Sequence, residues 1–541
     1  MNDKSTAGTI EEVLAEHAAS HGDTVFLKDD VAELTYGEAD VLATRQANAL
    51  AGLGVSAGDT VAFYMENSAA QAVTSFAVNR LGAIWSPANS DYRGDWLHSN
   101  LSDIESDVLV VDAHLLPRVL ELKDIPFKHV IVNGKDAEIG GLSGITTHDY
   151  ESLAHGADTH PGYKGAESDI TGVLWTSGTT GKSKGVMQSN STFLGWSRRH
   201  NDEYRGGVHD GDVFYGCTPM YNSGGWIMNI YPALVSANRA TIDAKFSVSN
   251  FWDRIRHYGA NHVMTLGTMH IYLFQNPARD DDADNPLRTI MMNPVVPQML
   301  KPFMVRFGID RVFGGYGQSE VMGVTKYHSD MPDLKPGSCG YVTDDAPIET
   351  KLLDDDDNEV PVGEPGEICV RPRVPGSVFS GYFRQPDITL QTFRNLWHHT
   401  GDLARVDEDG ELFFVDRKKD SLRHKGRNTS TFEVEHIARQ CPGVAQVAAY
   451  GIKLPDFEFE EELMLAVVPA DGVTLEPLEV CKFIDENGPY FFVPRYVEIV
   501  DQLPMTPTNK IQKFKLRDRG LTESTWDRER DADGWQPTRH R

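Results

Sequence analysis

Positive charge is in short supply in this sequence: 51 Lys and Arg stand against 79 Asp and Glu, a net charge of −28 over 541 residues. Such a chain repels phosphate backbones and anionic lipid surfaces, so nucleic acid and membrane surfaces are not expected as partners. Cysteine is scarce as well. Cys217, Cys339, Cys369, Cys441 and Cys481 lie far apart with no CxxC spacing, which gives no support to zinc or redox motifs and leaves reduced, mostly buried thiols. A bilayer-spanning run is missing too. Residues 213–238 carry no charge, but Pro219, Asn222, Ser223, Gly224, Gly225, Asn229 and Pro232 make them a poor span, so stable membrane insertion is not expected. The opening MNDKSTAGTIEEVL has no basic region followed by an apolar core, so no secretory signal and a cytoplasmic location are expected. The acidic runs at 280–282 and 354–357 read as solvated loops.

What is present is enough chain for about three or four folding units at roughly 150 residues each. Thr9 with Glu12, and Thr35 with Glu38, fit capping boxes ahead of apolar-periodic runs, which predicts helix starts at both places. Strand-like runs at 61–65, 262–266, 287–292 and 309–313 alternate with helix-like segments, among them Phe251, Ile255 and Tyr258 at helical spacing. That alternation implies βαβ units and a largely parallel sheet. From about Ala346 the strands shorten between Gly, Pro and acidic turns. The last 120 or so residues mix short helices and strands as a small α+β module, with a polar, loose tail expected after Leu521.

The stretch WTSGTTGKSKG at 175–185 follows the strand-like ITGVLW. A Walker loop requires Gly five residues before Gly181; Thr176 stands there, so the strict pattern fails. The chemistry of phosphate binding survives that failure. Thr176, Ser177, Gly178, Thr179, Thr180 and Gly181 offer N–H groups, hydroxyls and close backbone approach, and Lys182 and Lys184 offer charge.

The segment TSGTTGKSKGV resembles the signature loop of the adenylate-forming superfamily, which includes acyl-CoA synthetases. Further matches follow in family order: GYGQSE at 315–320, GEICVR at 366–371, WHHTGD at 397–402, DRKKD at 416–420, KGRNTSTFEVE at 425–435 and LPMTPTNKIQK at 503–513. The resemblance covers roughly residues 10–520. It implies an α/β fold: a large N-terminal domain (1–418) of mainly parallel sheets plus a small β-subdomain, and a small mobile α+β C-terminal domain (419–541). It also implies activation of a carboxylic acid by ATP to acyl-AMP and pyrophosphate, then transfer to a thiol, usually coenzyme A.

By resemblance, the 176–184 loop, with catalytic Thr176, handles the leaving phosphates. Tyr316, flanked by Gly315 and Gly317, stacks on adenine; Ser319 stands beside the α-phosphate; Glu320 binds Mg2+. Asp402 and Arg417 hold the ribose hydroxyls, Lys510 bridges carboxylate and α-phosphate, Lys419 is the hinge, and Gly426 comes beside the thiol tunnel. His398 and His399 are expected to be structural. An acid pocket is assigned to Tyr221, Asn222, Gly224, Met292 and Asn293, for an apolar acid, bulky fatty, alicyclic or aromatic ones included.

Departures from the family pattern bear on the acid and acceptor rather than on ATP. Ser183 replaces a common Pro, Ser189 and Asn190 stand where many members have His, Asn509 replaces Gly, Arg427 lies near the thiol site, and MMNPVVP at 291–297 is bulkier than usual. A carrier protein or a separate partner as acceptor therefore stays open, as does a homodimer on other grounds. So does an inactive nucleotide-binding protein, although Lys510 and Glu320 are of little use to a pure binder.

Overall fold

The computed structural model describes residues 5–134, 144–176, 183–204, 206–342, 346–417, 421–424, 427–454, 457–505, 511 and 513–538. The chain divides into two compact units: a larger one from Met1–Ser90, His98–Thr176 and Lys184–Asp416, and a smaller one built chiefly from Arg417 onward.

In the larger unit both predicted capping boxes form. Thr9 Oγ1 accepts from Glu12 N–H and the Glu12 carboxylate accepts from Thr9 N–H, and the helix begins at Ile10; Thr35 and Glu38 repeat this at the helix starting with Tyr36. Two mainly parallel sheets follow. Among the described residues one has eight strands, in the order Tyr327–His328, Arg311–Gly314, Thr289–Asn293, His262–Leu266, Val213–Gly216, Arg239–Ile242, Val25–Lys28, Glu33–Thr35, with antiparallel pairing only at its two edges. The other has seven and runs Thr146–Asp149, His129–Asn133, Val108–Asp112, Thr60–Tyr64, Ile84–Pro87, Ile170–Thr176, Lys184–Ser189, antiparallel only in its last pair.

Strands such as Thr60–Tyr64 are buried at every position, as expected when helices cover both faces of a parallel sheet. Helix Phe251–Tyr258 buries Phe251, Trp252, Ile255 and Tyr258 and stops at Gly259, whose φ of 67° a side chain would disfavour. A third, antiparallel sheet holds Ser338–Tyr341, Glu411–Arg417, Trp397–Val406, Gly366–Pro372 and Ile348–Leu353, the short β-rich stretch expected after Ala346.

The smaller unit packs helices Thr431–Ala438 and Pro477–Asn487 on the sheet of Val444–Leu454, Phe457–Pro469, Tyr496–Ile499 and Trp526–Asp527, around Val434, Val447, Leu465, Ile484 and Phe492. The expected loose tail is in part structure. Trp526 and Asp527 pair with Val497 and Tyr496, and buried Arg528 donates to the Pro494 carbonyl, so polar residues there are tied by hydrogen bonds that a polarity reading ignores. The acidic runs are likewise not wholly solvated: Asp282 is 6% exposed and takes the Arg306 Nε at 2.6 Å. No described helix is long and apolar enough to cross a membrane.

Candidate active site

Strands Ile170–Thr176 and Lys184–Ser189 are antiparallel partners, with Thr176 opposite Lys184. The two ends of the small-residue loop are thus held side by side. Ser177, Gly178, Thr179, Thr180, Gly181 and Lys182 lie outside the described residues. Gly172 sits against Trp85, whose ring would be 2.5 Å from an added Cβ, and Trp175 Nε1 donates to Ser86 Oγ at 2.8 Å, so the strand leading into the loop is fixed on both sides.

GYGQSE begins where strand Arg311–Gly314 ends, at the carboxyl edge where open α/β sheets take their ligands. The segment folds back on itself. Tyr316 N–H donates to Thr325 Oγ1 at 2.8 Å, and a Cβ on Gly315 would lie 2.2 Å from the Thr325 carbonyl, so this turn requires glycine for close approach. Tyr316 then reaches the second motif: its hydroxyl donates to Asp402 Oδ2 at 2.5 Å, and Gln318 Nε2 donates to the same oxygen at 2.8 Å and to the Thr400 carbonyl at 3.1 Å. Asp402 is 2% exposed. Two donors on one oxygen orient this buried carboxylate.

Glu320, also buried, is held by a residue the sequence reading missed. The Tyr382 hydroxyl donates to Glu320 Oε1 at 2.8 Å, Phe379 N–H donates to the Glu320 carbonyl at 2.8 Å, and the Lys184 ammonium lies over the Tyr382 ring at 4.9 Å. Burial, then the neighbouring Glu320 charge, push the Tyr382 phenol far above its usual range, so it remains a donor. The signal in the sequence was one aromatic in SGYF, with nothing local to say which carboxylate it meets. Ser319 lies beside Ser223, their hydroxyls 3.4 Å apart, and Gln188 Nε2 donates to the Ser319 carbonyl. His398 is fully buried beside Phe379, and burial pushes it down to about 3, which removes it as an acid or base near neutrality.

The acid-pocket residues divide. Tyr221 is buried, and a Cβ on Gly224 would stand 3.3 Å from Met264 Sδ, so this segment faces that methionine. Asn67, another residue the sequence reading missed, braces it: Asn67 Nδ2 donates to the Thr218 carbonyl and Met220 N–H donates to Asn67 Oδ1. Asn222 N–H donates to the Pro219 carbonyl. Met292, however, is fully buried in the core with Tyr215, Val263 and Ile290; strand alternation puts Met291 in the cluster that holds Met220, Trp226 and Met264. Asn293 accepts from Gly267 N–H and is half-buried.

Arg417 ends strand Glu411–Arg417. Lys419, Gly426 and Lys510 lie outside the described residues. Lys510 is bracketed in the chain by Met505 and Ile511, which form an antiparallel bridge, and Lys513 donates to Thr431 Oγ1 at 2.8 Å and pairs with buried Glu435 at 2.7 Å.

The sequence model of the AMP-binding enzyme family matches residues 14–383, and that of the AMP-binding enzyme C-terminal domain matches 433–510. The chain belongs to the AMP-binding enzyme family. Among its relatives, the crotonobetaine/carnitine–CoA ligase of Salmonella agona is 29% identical over 504 residues, covering 90% of this chain and 93% of that one. The fold of this AMP-binding enzyme resembles o-succinylbenzoate CoA synthetase of Bacillus subtilis (22% identity, TM-score 0.77, 94% and 98% of the two chains). It also resembles the amide bond synthetase McbA of Marinactinospora thermotolerans (23%, 0.77, 94% and 99%).

Proposed function

We propose that this AMP-binding enzyme is an AMP-forming acid:CoA ligase that activates an apolar carboxylic acid and passes the acyl group to coenzyme A. The observation that carries this reading is the meeting of three motifs in the larger unit. Asp402 is oriented by Tyr316 and Gln318, and Glu320 is held by Tyr382, itself under the lysine that closes the phosphate-type loop. These residues fit the groups implied. A fixed buried carboxylate at Asp402 suits a ribose diol, the Tyr316 ring an adenine face, and the hard oxygens of Glu320 suit Mg2+, which is held by one or two carboxylates plus phosphates. Mg2+ there supplies charge that stabilises the anionic phosphates.

In this reading Thr176, Ser177, Thr179, Thr180, Lys182 and Lys184 donate to the departing pyrophosphate, and Ser319 to the α-phosphate. Lys510, a compact charge with three donors, joins the attacking carboxylate to the α-phosphate, and Arg417 adds to the ribose site. Residues 419–541 act as a domain that pivots at Lys419 and brings Gly426 beside the thiol. The name of the Salmonella relative supports CoA as acceptor. The fold does not choose it, being shared with an amide bond synthetase.

The test is pyrophosphate release with ATP, Mg2+ and a panel of fatty, alicyclic, aromatic and quaternary-ammonium acids, with and without CoA, the products read by mass spectrometry. The expected products are AMP, pyrophosphate and one acyl-CoA. Acyl-AMP that persists in the presence of CoA assigns the acceptor elsewhere, and absence of pyrophosphate with every acid overturns the ligase reading.

A further inference from the structure

Apart from the residues just described, three side chains with metal-ligating atoms meet on one face of the antiparallel sheet. Glu367 and Cys369 alternate along strand Gly366–Pro372, and Cys369 pairs directly with His399 of strand Trp397–Val406. Two positions on one strand and the facing position on its neighbour present three side chains to a common point. His399 Nδ1 is 3.0 Å from Glu367 Oε2 and 3.3 Å from Cys369 Sγ, and the three ligand atoms all lie within 4.8 Å of one another. All three residues are buried, at 4%, 0% and 8% exposure for Glu367, Cys369 and His399.

Tetrahedral zinc, with bonds of about 2.0 Å to N and O and about 2.3 Å to S, separates its ligand atoms by about 3.3 Å (N to O) and about 3.5 Å (N to S). The two spacings from His399 Nδ1 reach those values by shifts of a few tenths of an ångström. The surroundings fit as well. His399 Nε2, buried and without a hydrogen bond among the described residues, faces Asp357 Oδ1 at 3.6 Å, and Glu367 Oε1 accepts from Gly401 N–H at 2.9 Å. An imidazole whose far nitrogen faces a carboxylate, and a carboxylate fixed by a backbone donor, are the outer contacts that orient metal ligands. Asp357 is in turn held by half-exposed Arg394, so the end of the acidic run expected as a solvated loop is built into this network.

A cation at the common point of Glu367, Cys369 and His399 would take a lone pair from each of the three. The mixture of thiolate, imidazole and carboxylate selects a borderline-soft ion over Mg2+, which takes oxygen. We propose that Glu367, Cys369 and His399 bind a divalent ion of the zinc class, at a site separate from Glu320. Cys369 binds as the thiolate and its proton leaves to solvent. Gly401, held by Glu367, precedes Asp402, so the ion fastens the strand that presents that carboxylate. The inference stands on this cluster and does not depend on the ligase reading.

The test is titration of the full chain, stripped with chelator under reducing conditions, first with Co2+ and then with Zn2+. One thiolate-to-cobalt charge-transfer band, saturating at about one equivalent, bleached by Zn2+ and absent in Cys369→Ser, is expected. Asp357→Asn keeps all three ligands and should weaken binding about ten- to a hundredfold. No charge-transfer band in the unaltered protein, which requires no variant to fold, overturns the site; so does an undiminished band in a Cys369→Ser protein with native circular dichroism.

Discussion

Around Asp402 position is set by hydrogen bonds; around Tyr221 it is set mostly by packing. Asp402 takes two side-chain donors on one oxygen, and Glu320 takes a phenol on its side chain and a backbone N–H on its carbonyl. The 220–231 segment instead rests on packed rings, Trp226 stacked on Trp85 at 4.2 Å and Tyr231 tilted against Phe193 at 4.6 Å, with Met220 and Met264 in the same cluster. Hydrogen bonds fix atoms to tenths of an ångström and demand particular residue types, whereas packing accepts any side chain of suitable volume. On the proposed reading, the first region serves the chemistry of the ATP site and the second shapes the fit to the acid.

Substitutions sharpen this contrast, and the largest effect is expected where charge develops in the reaction. Lys510→Ala should lower acid-dependent pyrophosphate release on the order of a hundredfold or more, the usual cost of one transition-state donor; an unchanged rate would remove Lys510 from the first half-reaction. Lys419→Pro fixes φ at the proposed pivot and should leave pyrophosphate release near normal while acyl-CoA formation falls at least about tenfold. Parallel loss of both would place the hinge elsewhere.

The same contrast decides what was legible in the sequence. The parallel sheets, both capping boxes and the order of motifs were readable because each rests on local pattern: period, cap spacing, glycine where backbone approaches backbone. Tyr382 and Asn67 were not, since their partners Glu320 and Met220 lie 62 and 153 residues away. Met292 was expected in the pocket from its place in a loop motif, but a strand turns successive side chains to opposite faces, and Met292 takes the one packed with Tyr215, Val263 and Ile290. The tail around Trp526 was misjudged because composition carries no record of a strand partner.

Two smaller effects complete the comparison. Tyr382→Phe removes only a hydroxyl, and the half-saturating Mg2+ concentration for pyrophosphate release should rise about tenfold, in line with a buried carboxylate losing a donor at about 1–3 kcal/mol; an unaltered Mg2+ dependence would separate Tyr382 from the metal site. Gly224→Ala puts a methyl 3.3 Å from Met264 Sδ. Because the thioether can shift, the fold should hold, and KM for the largest accepted acid should rise about fivefold against little change for ATP, a difference of about 1 kcal/mol in pocket fit. Equal change in both KM values would mean that Gly224 shapes the fold rather than the pocket.

The Trp85–Trp226 pair has a consequence in optics. Two indoles with centroids 4.2 Å apart and planes 26° from parallel are close enough for their excited states to couple, giving a signed doublet in ultraviolet circular dichroism that isolated tryptophans lack. Because Trp226 directly follows the Tyr221–Gly225 segment, displacement of that segment by an entering acid would alter the doublet. If the proposed pocket is right, this pair is a built-in label for acid binding, readable in equilibrium titrations without CoA, turnover or an added dye.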